Sequence, residues 1–216
     1  EEILTDLANQ YEDLTLIIAG DFLDCFDIST FSKVPNTKPD IKHEIELGHS
    51  FLKEWRRIMG ERRIVYILGN HELRLRKHVI NLAPEIYSIV PTLDKLLDLA
   101  QLNIEFVDFP EHLSNFKDNF IDWEGVLIGH FARYTKHAGY TAKALVEDKG
   151  ASVVQGHTHK TGLHMKQTHN KLLWGVENGC LCRFDNTHEI EPSWEHSLTI
   201  LTSVNGTVFP EIVTIQ

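Results

Sequence analysis

Four short stretches of this sequence pair a glycine with side chains able to hold a metal ion: Gly20-Asp21, Gly69-Asn70-His71, Gly129-His130 and Gly156-His157-Thr158-His159. Each follows an apolar run, so each falls where a buried strand ends and the chain turns out. Carboxylate, amide and imidazole donors together suit Mn, Zn, Fe or Ni better than Ca or Mg. His157 and His159 are two residues apart just past a strand end, so one loop can serve two neighbouring ions. A carboxylate such as Asp21 can bridge such a pair, with the ions roughly 3.5–4 Å apart. Burying Asp21 is costly unless a cation compensates it, which is a further reason to expect a metal. Any one of these stretches alone reads as an ordinary turn. Four in succession, each after a strand, define one crevice at the carboxyl ends of a sheet, where open α/β sheets bind ligands.

The elements that must position these residues follow from the hydrophobic pattern. Residues 14–18, 64–68, 126–128 and 151–154 are short, β-branched-rich apolar runs of the kind buried in parallel sheets. Residues 1–13 carry Ile3, Leu4, Leu7 and Tyr11 at helical spacing. Residues 41–59 place Ile41, Ile45, Leu52, Trp55 and Met59 on one stripe, with Gly60 as the stop. Residues 22–40 read as a loop punctuated by Pro35 and Pro39. Residues 73–103 read as mostly helical, a candidate helical cap, and residues 138–149 as a further helix. Residues 104–109 make another strand. After Gly162 short strands and turns alternate, with Asn205-Gly206 a strong hairpin signal. The layout is a βαβα half followed by a β-rich half, an α/β chain whose 216 residues suit a single domain over residues 1–216.

Composition narrows the functions. The net charge of −10 argues against non-specific binding to duplex nucleic acid, which depends on cationic contacts to phosphate. A metal that supplies positive charge locally leaves phosphate chemistry open. Thirteen histidines are many for this length and agree with metal chemistry. Three cysteines without a Cys-x-x-Cys pair give neither a zinc knot nor a disulfide framework, so a reducing, cytoplasmic setting is expected. Cys180 and Cys182, flanking Leu181, read as inert packing on a strand. No apolar run is long enough to cross a bilayer, and no membrane partner is expected.

Gly20-Asp21-Phe22-Leu23-Asp24, Gly69-Asn70-His71-Glu72, His130 and Gly156-His157-Thr158-His159 together resemble the calcineurin-like metallophosphoesterase superfamily. Residues 136–143 and 177–182 further resemble its phage- and prophage-type members. The resemblance implies a two-sheet β-sandwich flanked by helices, with a dinuclear metal centre at the strand ends. It implies that Asp21 bridges two divalent ions (Mn first, with Zn, Fe or Ni also compatible), that Asn70, His130 and His157 hold one ion and that His159 holds the other. It makes His71 the proton donor or phosphate stabiliser beside the leaving group, with Asp24 or Glu72 behind it. Members open with a strand ending in Asp-x-His, and no Asp-x-His precedes Asp21 here. The expectation is therefore a first strand absent from this chain and an incomplete first metal site.

The implied activity is hydrolysis of a phosphoester by attack of a hydroxide generated at the metals, on a nucleotide or nucleic acid diester in preference to a monoester or phosphoprotein. A non-catalytic scaffold with an eroded metal site is the competing expectation. Arg133 and His137, on the loop after His130, are candidate substrate contacts. Arg74 and Arg76 are candidates for the substrate's outlying phosphates.

Overall fold

The computed structural model of the chain describes residues 1–31, 40–109, 116–183 and 193–215. Pro35 and Pro39 of the expected loop lie outside the described residues. The chain forms two compact units, Glu1–Phe116 and Lys117–Gln216.

The first unit is built on a parallel three-stranded sheet. Its elements in order are helix α1 (Glu2–Gln10), strand β1 (Leu16–Ile18), helix α2 (Ile41–Met59), strand β2 (Ile64–Ile67), helices α3 (Leu73–Leu82) and α4 (Leu93–Leu96), and strand β3 (Glu105–Val107). The strand order is β1-β2-β3, with Leu16 opposite Ile64 and Val65 opposite Glu105. Every residue of the central strand β2 is buried, which is why it reads as an unbroken apolar run. Helix α2 begins where its periodicity begins, because the Asp40 carboxylate accepts the His43 N–H at 2.8 Å. It ends at Gly60, whose φ of 59° costs a glycine little. Arg56 takes up carbonyls past that end, donating to Gly60 O, Arg62 O, Leu102 O and Asn103 O.

Leu52, Met59, Tyr66, Leu73, Leu97 and Leu99 share one buried core. The segment expected as a helical cap is helical in part. Its Leu73, Leu93, Leu97 and Leu99 are buried in that core.

The second unit holds a five-stranded mixed sheet and a hairpin. Strand β4 (Asn119–Trp123) pairs antiparallel with β5 (Val126–His130). Helix α5 (Tyr140–Lys149) crosses over to β6 (Ser152–Gln155), and β7 (Gly162–Gln167) and β8 (Leu172–Glu177) complete the order β4-β5-β6-β8-β7. Strands β5, β6 and β8 are parallel neighbours. Strands β9 (Ser197–Val204) and β10 (Thr207–Thr214) form the hairpin at Asn205-Gly206, where φ is +52° and +75° as a tight turn of this hand requires. The Trp174 indole donates to Val208 O at 3.2 Å, tying the hairpin to the sheet.

Two expectations need correction. Residues 119–123 form a strand that the apolar pattern did not signal, because Asn119 and Asp122 break up the run and its alternation is short. The strand expected around Leu181 reduces to a single bridge between Cys180 and His196. Leu181 itself is 64% exposed, so no face holds a strand there. The chain is a mixed α/β fold, as its sequence pattern led one to expect. No helix among the described residues is long and apolar enough to cross a membrane.

Candidate metal centre

In the first unit the site residues sit on two tight turns after adjacent parallel strands. β1 runs out through Gly20 and Asp21, both at positive φ. β2 runs out through Gly69, Asn70 and His71. The side chain of Asp21 is only 6% exposed. Its Oδ1 accepts the His71 N–H at 2.9 Å, so the second turn holds the carboxylate of the first. The turns approach so closely that a Cβ on Gly69 would lie 2.3 Å from Asp21 Oδ1 and 2.4 Å from Asp21 N.

Glu72 joins the two turns. Its carboxylate is completely buried and accepts five hydrogen bonds. Oε1 takes Phe22 N at 2.6 Å, Leu23 N at 3.1 Å and the Tyr66 hydroxyl at 2.8 Å; Oε2 takes Asp21 N and Gly69 N, each at 3.1 Å. Burial, followed by the Asp21 charge, pushes its pKa up, while the hydrogen bonds pull the other way. Glu72 therefore shapes the loop that presents Asp21. His71 is steered instead by Asp24, whose Oδ1 lies 3.4 Å from His71 Nδ1. Of the two residues expected behind His71, Asp24 is the one in reach. Arg74 donates to Asp24 O at 2.7 Å, and Arg76 is paired with Asp108, so both arginines are engaged within their own unit.

In the second unit the two strand-end histidines meet. His130 ends β5, and His157 follows Gly156 after the neighbouring parallel strand β6. His130 is fully buried, and its Nε2 lies 3.0 Å from His157 Nδ1, the rings edge to face at 69°. Close approach of the backbones is demanded here too, since a Cβ on Gly129 would lie 2.2 Å from Asn119 O.

The loop that carries His157 is braced by residues to which the motifs assigned no role. Gln155 Oε1 accepts His157 N at 2.9 Å, and Gln155 Nε2 donates to Thr158 Oγ1 at 2.8 Å. Thr158 donates in turn to Glu177 Oε2 at 2.7 Å. Glu177 Oε1 accepts the first backbone N–H groups of α5, Thr141 at 2.9 Å and Ala142 at 3.2 Å, which is where a helix favours a negative charge. A polar residue that ends a buried strand, as Gln155 and Glu177 do, is the one sequence signal that points to this network.

His159 departs from the pair. It adopts φ of +58°, its ring packs edge-on against Trp194 at 4.4 Å, and its carbonyl accepts Glu195 N at 3.0 Å. The next residue, Lys160, is buried and donates to Thr135 O and Lys136 O at 2.8 Å each, fixing the loop after His130. On that loop Arg133 pairs with Asp148 of α5 and His137 lies against Tyr140.

The donor chemistry fits a divalent cation. Imidazole nitrogens bound to one ion at about 2.0–2.1 Å lie about 2.9 Å apart at a right angle and about 3.3 Å apart at the tetrahedral angle. The 3.0 Å between His130 and His157 is thus a spacing that one ion accommodates. The Asp21 carboxylate, nearly buried and held by a backbone donor, is an anionic oxygen ligand of the matching kind.

No curated protein matches the chain. Among solved structures, a single mutant of Vps29 from Entamoeba histolytica aligns with 94% of this chain and 99% of its own, at 17% identity and a TM-score of 0.36. The model of the calcineurin-like phosphoesterase family matches residues 1–161, three quarters of the sequence and all of the strand-end motifs, and the chain belongs to that family.

Proposed function

We propose that this protein is a metal-dependent phosphodiesterase acting on nucleotides or short nucleic acids. In this reading Asp21, Asn70, His130 and His157 hold one divalent ion and Asp21 and His159 contribute to a second, manganese being the first metal to test. Bound there, divalent ions would neutralise the phosphate oxygens, lower the pKa of a bound water and clamp an in-line displacement. The chain's own part is to hold those ligands and to manage the leaving group. His71, oriented by Asp24, donates a proton to the departing oxygen or a hydrogen bond to the phosphate.

The observation that carries this reading is the His130–His157 pair, two imidazoles 3.0 Å apart at the ends of adjacent parallel strands. His130 is fully buried and His157 half-buried, and their facing ring nitrogens, set at hydrogen-bond distance, are neutral donors of the kind a divalent transition metal takes. Membership of a phosphoesterase family supports hydrolysis, and the phage-type likeness of residues 136–143 and 177–182 supports a diester. The net charge of −10 favours small nucleotides over long duplexes.

The test is hydrolysis of bis-p-nitrophenyl phosphate against p-nitrophenyl phosphate with added manganese. Faster turnover of the diester, lost on chelation and in His157→Ala, is expected. Faster monoester turnover would replace the diester reading, and no turnover of either would leave a non-catalytic family member.

A further inference from the structure

Cys180 and Cys182 lie outside the metal ligands. In an extended stretch residues two apart fall on the same face, and here the two Sγ atoms lie 3.4 Å apart while the intervening Leu181 points to solvent. No disulfide joins them, although a bond of about 2.05 Å requires only a small further approach. The pair is anchored from one side. Cys180 N donates to Glu195 O at 2.9 Å, His196 Nε2 lies 2.7 Å from Cys182 O, and Cys180 bridges to His196. Inert packing, the sequence expectation, needs burial, whereas Cys182 is exposed and Cys180 half-buried.

Cys25 supplies the contrast. It is fully buried, and burial above all pushes its thiol well up, so it stays protonated and unreactive. The Cys180 thiol is also pushed up, first by its hydrogen bond with Cys182 and then by burial. Exposed Cys182 is the sulfur that an oxidant meets first.

We propose that Cys180 and Cys182 form an oxidisable dithiol, a modification site that closes reversibly to an intrachain disulfide on contact with a peroxide. The Cys182 sulfur attacks one peroxide oxygen, the O–O bond breaks and the other oxygen leaves as water, giving a sulfenic acid. The Cys180 sulfur then attacks the Cys182 sulfur; the S–S bond forms, the S–O bond breaks, and a second water leaves with the Cys180 proton. Two thiols lose two electrons and two protons, and one peroxide becomes two waters. A ring closed over a single intervening residue is strained and exposed, so a dithiol reductant reopens it. Glu195 also donates its N–H to His159 O at 3.0 Å, which places the dithiol beside the strip that braces His159. Any effect of the disulfide on hydrolysis rests on the role proposed for His159 above; formation of the bond does not.

The experiment treats the purified chain with hydrogen peroxide, unfolds it and labels thiols with N-ethylmaleimide for intact-mass and peptide mass spectrometry. Oxidised protein should take one label, on Cys25, where reduced protein takes three, with the peptide spanning Cys180 and Cys182 lighter by two hydrogens. Dithiothreitol should restore all three labels, and Cys180→Ser should abolish the disulfide. Three labels after peroxide, oxidation of Cys182 alone to a sulfinic acid, or a disulfide between two chains would each overturn the proposal. No hydrolysis assay enters, so failure here is separate from failure of the phosphoesterase reading.

Discussion

The Glu72 carboxylate accepts the Phe22 N–H at 2.6 Å across fifty residues of sequence. The loop after one strand is thereby shaped by a side chain on the turn after the next. Three consecutive amides, Asp21, Phe22 and Leu23, all point at this one group. Asp21 at a φ of +54° is a conformation that few residues other than glycine hold unaided, and Glu72 supplies the restraint.

Removing that group should therefore cost more than an ordinary buried side chain. Glu72→Ala leaves four backbone N–H groups and the Tyr66 hydroxyl without their acceptor, and we expect a loss of at least about 3 kcal/mol in urea unfolding. Glu72→Gln, which keeps one carbonyl oxygen, should lose less. Equal stability of Glu72→Ala and the parent chain would refute the role.

Gly69→Ala tests the close approach of the two turns. A methyl group 2.3 Å from Asp21 Oδ1 and 2.4 Å from Asp21 N must displace that carboxylate or the backbone that carries it, with Glu72 Oε2 at 3.0 Å also in the way. Manganese affinity by calorimetry should fall at least tenfold, with the helical circular dichroism signal unchanged. Unaltered affinity would show that Asp21 is not a ligand.

Metal binding should register as stability. At a hundred times its dissociation constant, an ion that binds only the folded chain adds about 2.7 kcal/mol. Manganese should raise the melting temperature, a chelator should reverse the rise, and His157→Ala should not show it. A rise that persists in His157→Ala places the metal elsewhere.

His71→Ala separates leaving-group chemistry from metal binding. The variant should keep its metal content. Hydrolysis of an ester with a poor, alkyl leaving group should fall by about 10²–10⁴-fold, and that of a p-nitrophenyl ester much less. An equal loss for both esters would make His71 a phosphate contact and not an acid.

Glu44 gives a pH signature away from the site. Burial raises its pKa above the usual carboxylate value, although both its oxygens accept the Cys25 N–H. The folded chain therefore holds this proton to a higher pH than the unfolded chain. Its contribution to stability is full below the ordinary carboxylate range and is lost as pH rises through the folded pKa. Glu44→Gln removes that slope, so its melting temperature relative to the parent should improve as pH rises above the ordinary carboxylate range and level off once Glu44 is ionised in the folded chain. A difference that is flat with pH would contradict the assignment.

Much of this protein is determined locally and could be read before any coordinates. The extent of α2 follows from an apolar stripe and Gly60; the last hairpin follows from Asn205-Gly206; the strand ends that carry Asp21, His71, His130 and His157 follow from apolar runs cut by glycine. Each is a short-range matter of backbone preference and hydrophobic period. What tertiary structure decided is who holds whom. That Glu72 serves the Asp21 loop while Asp24 serves His71, that Gln155, Thr158 and Glu177 form one brace behind His157, that residues 119–123 form a strand and that Cys182 faces solvent all depend on how separate segments meet, the Asp21–Glu72 contact reaching across 51 residues. Hydrogen bonds between distant segments leave no period in a sequence, because they follow from where the sheet brings the ends of its strands.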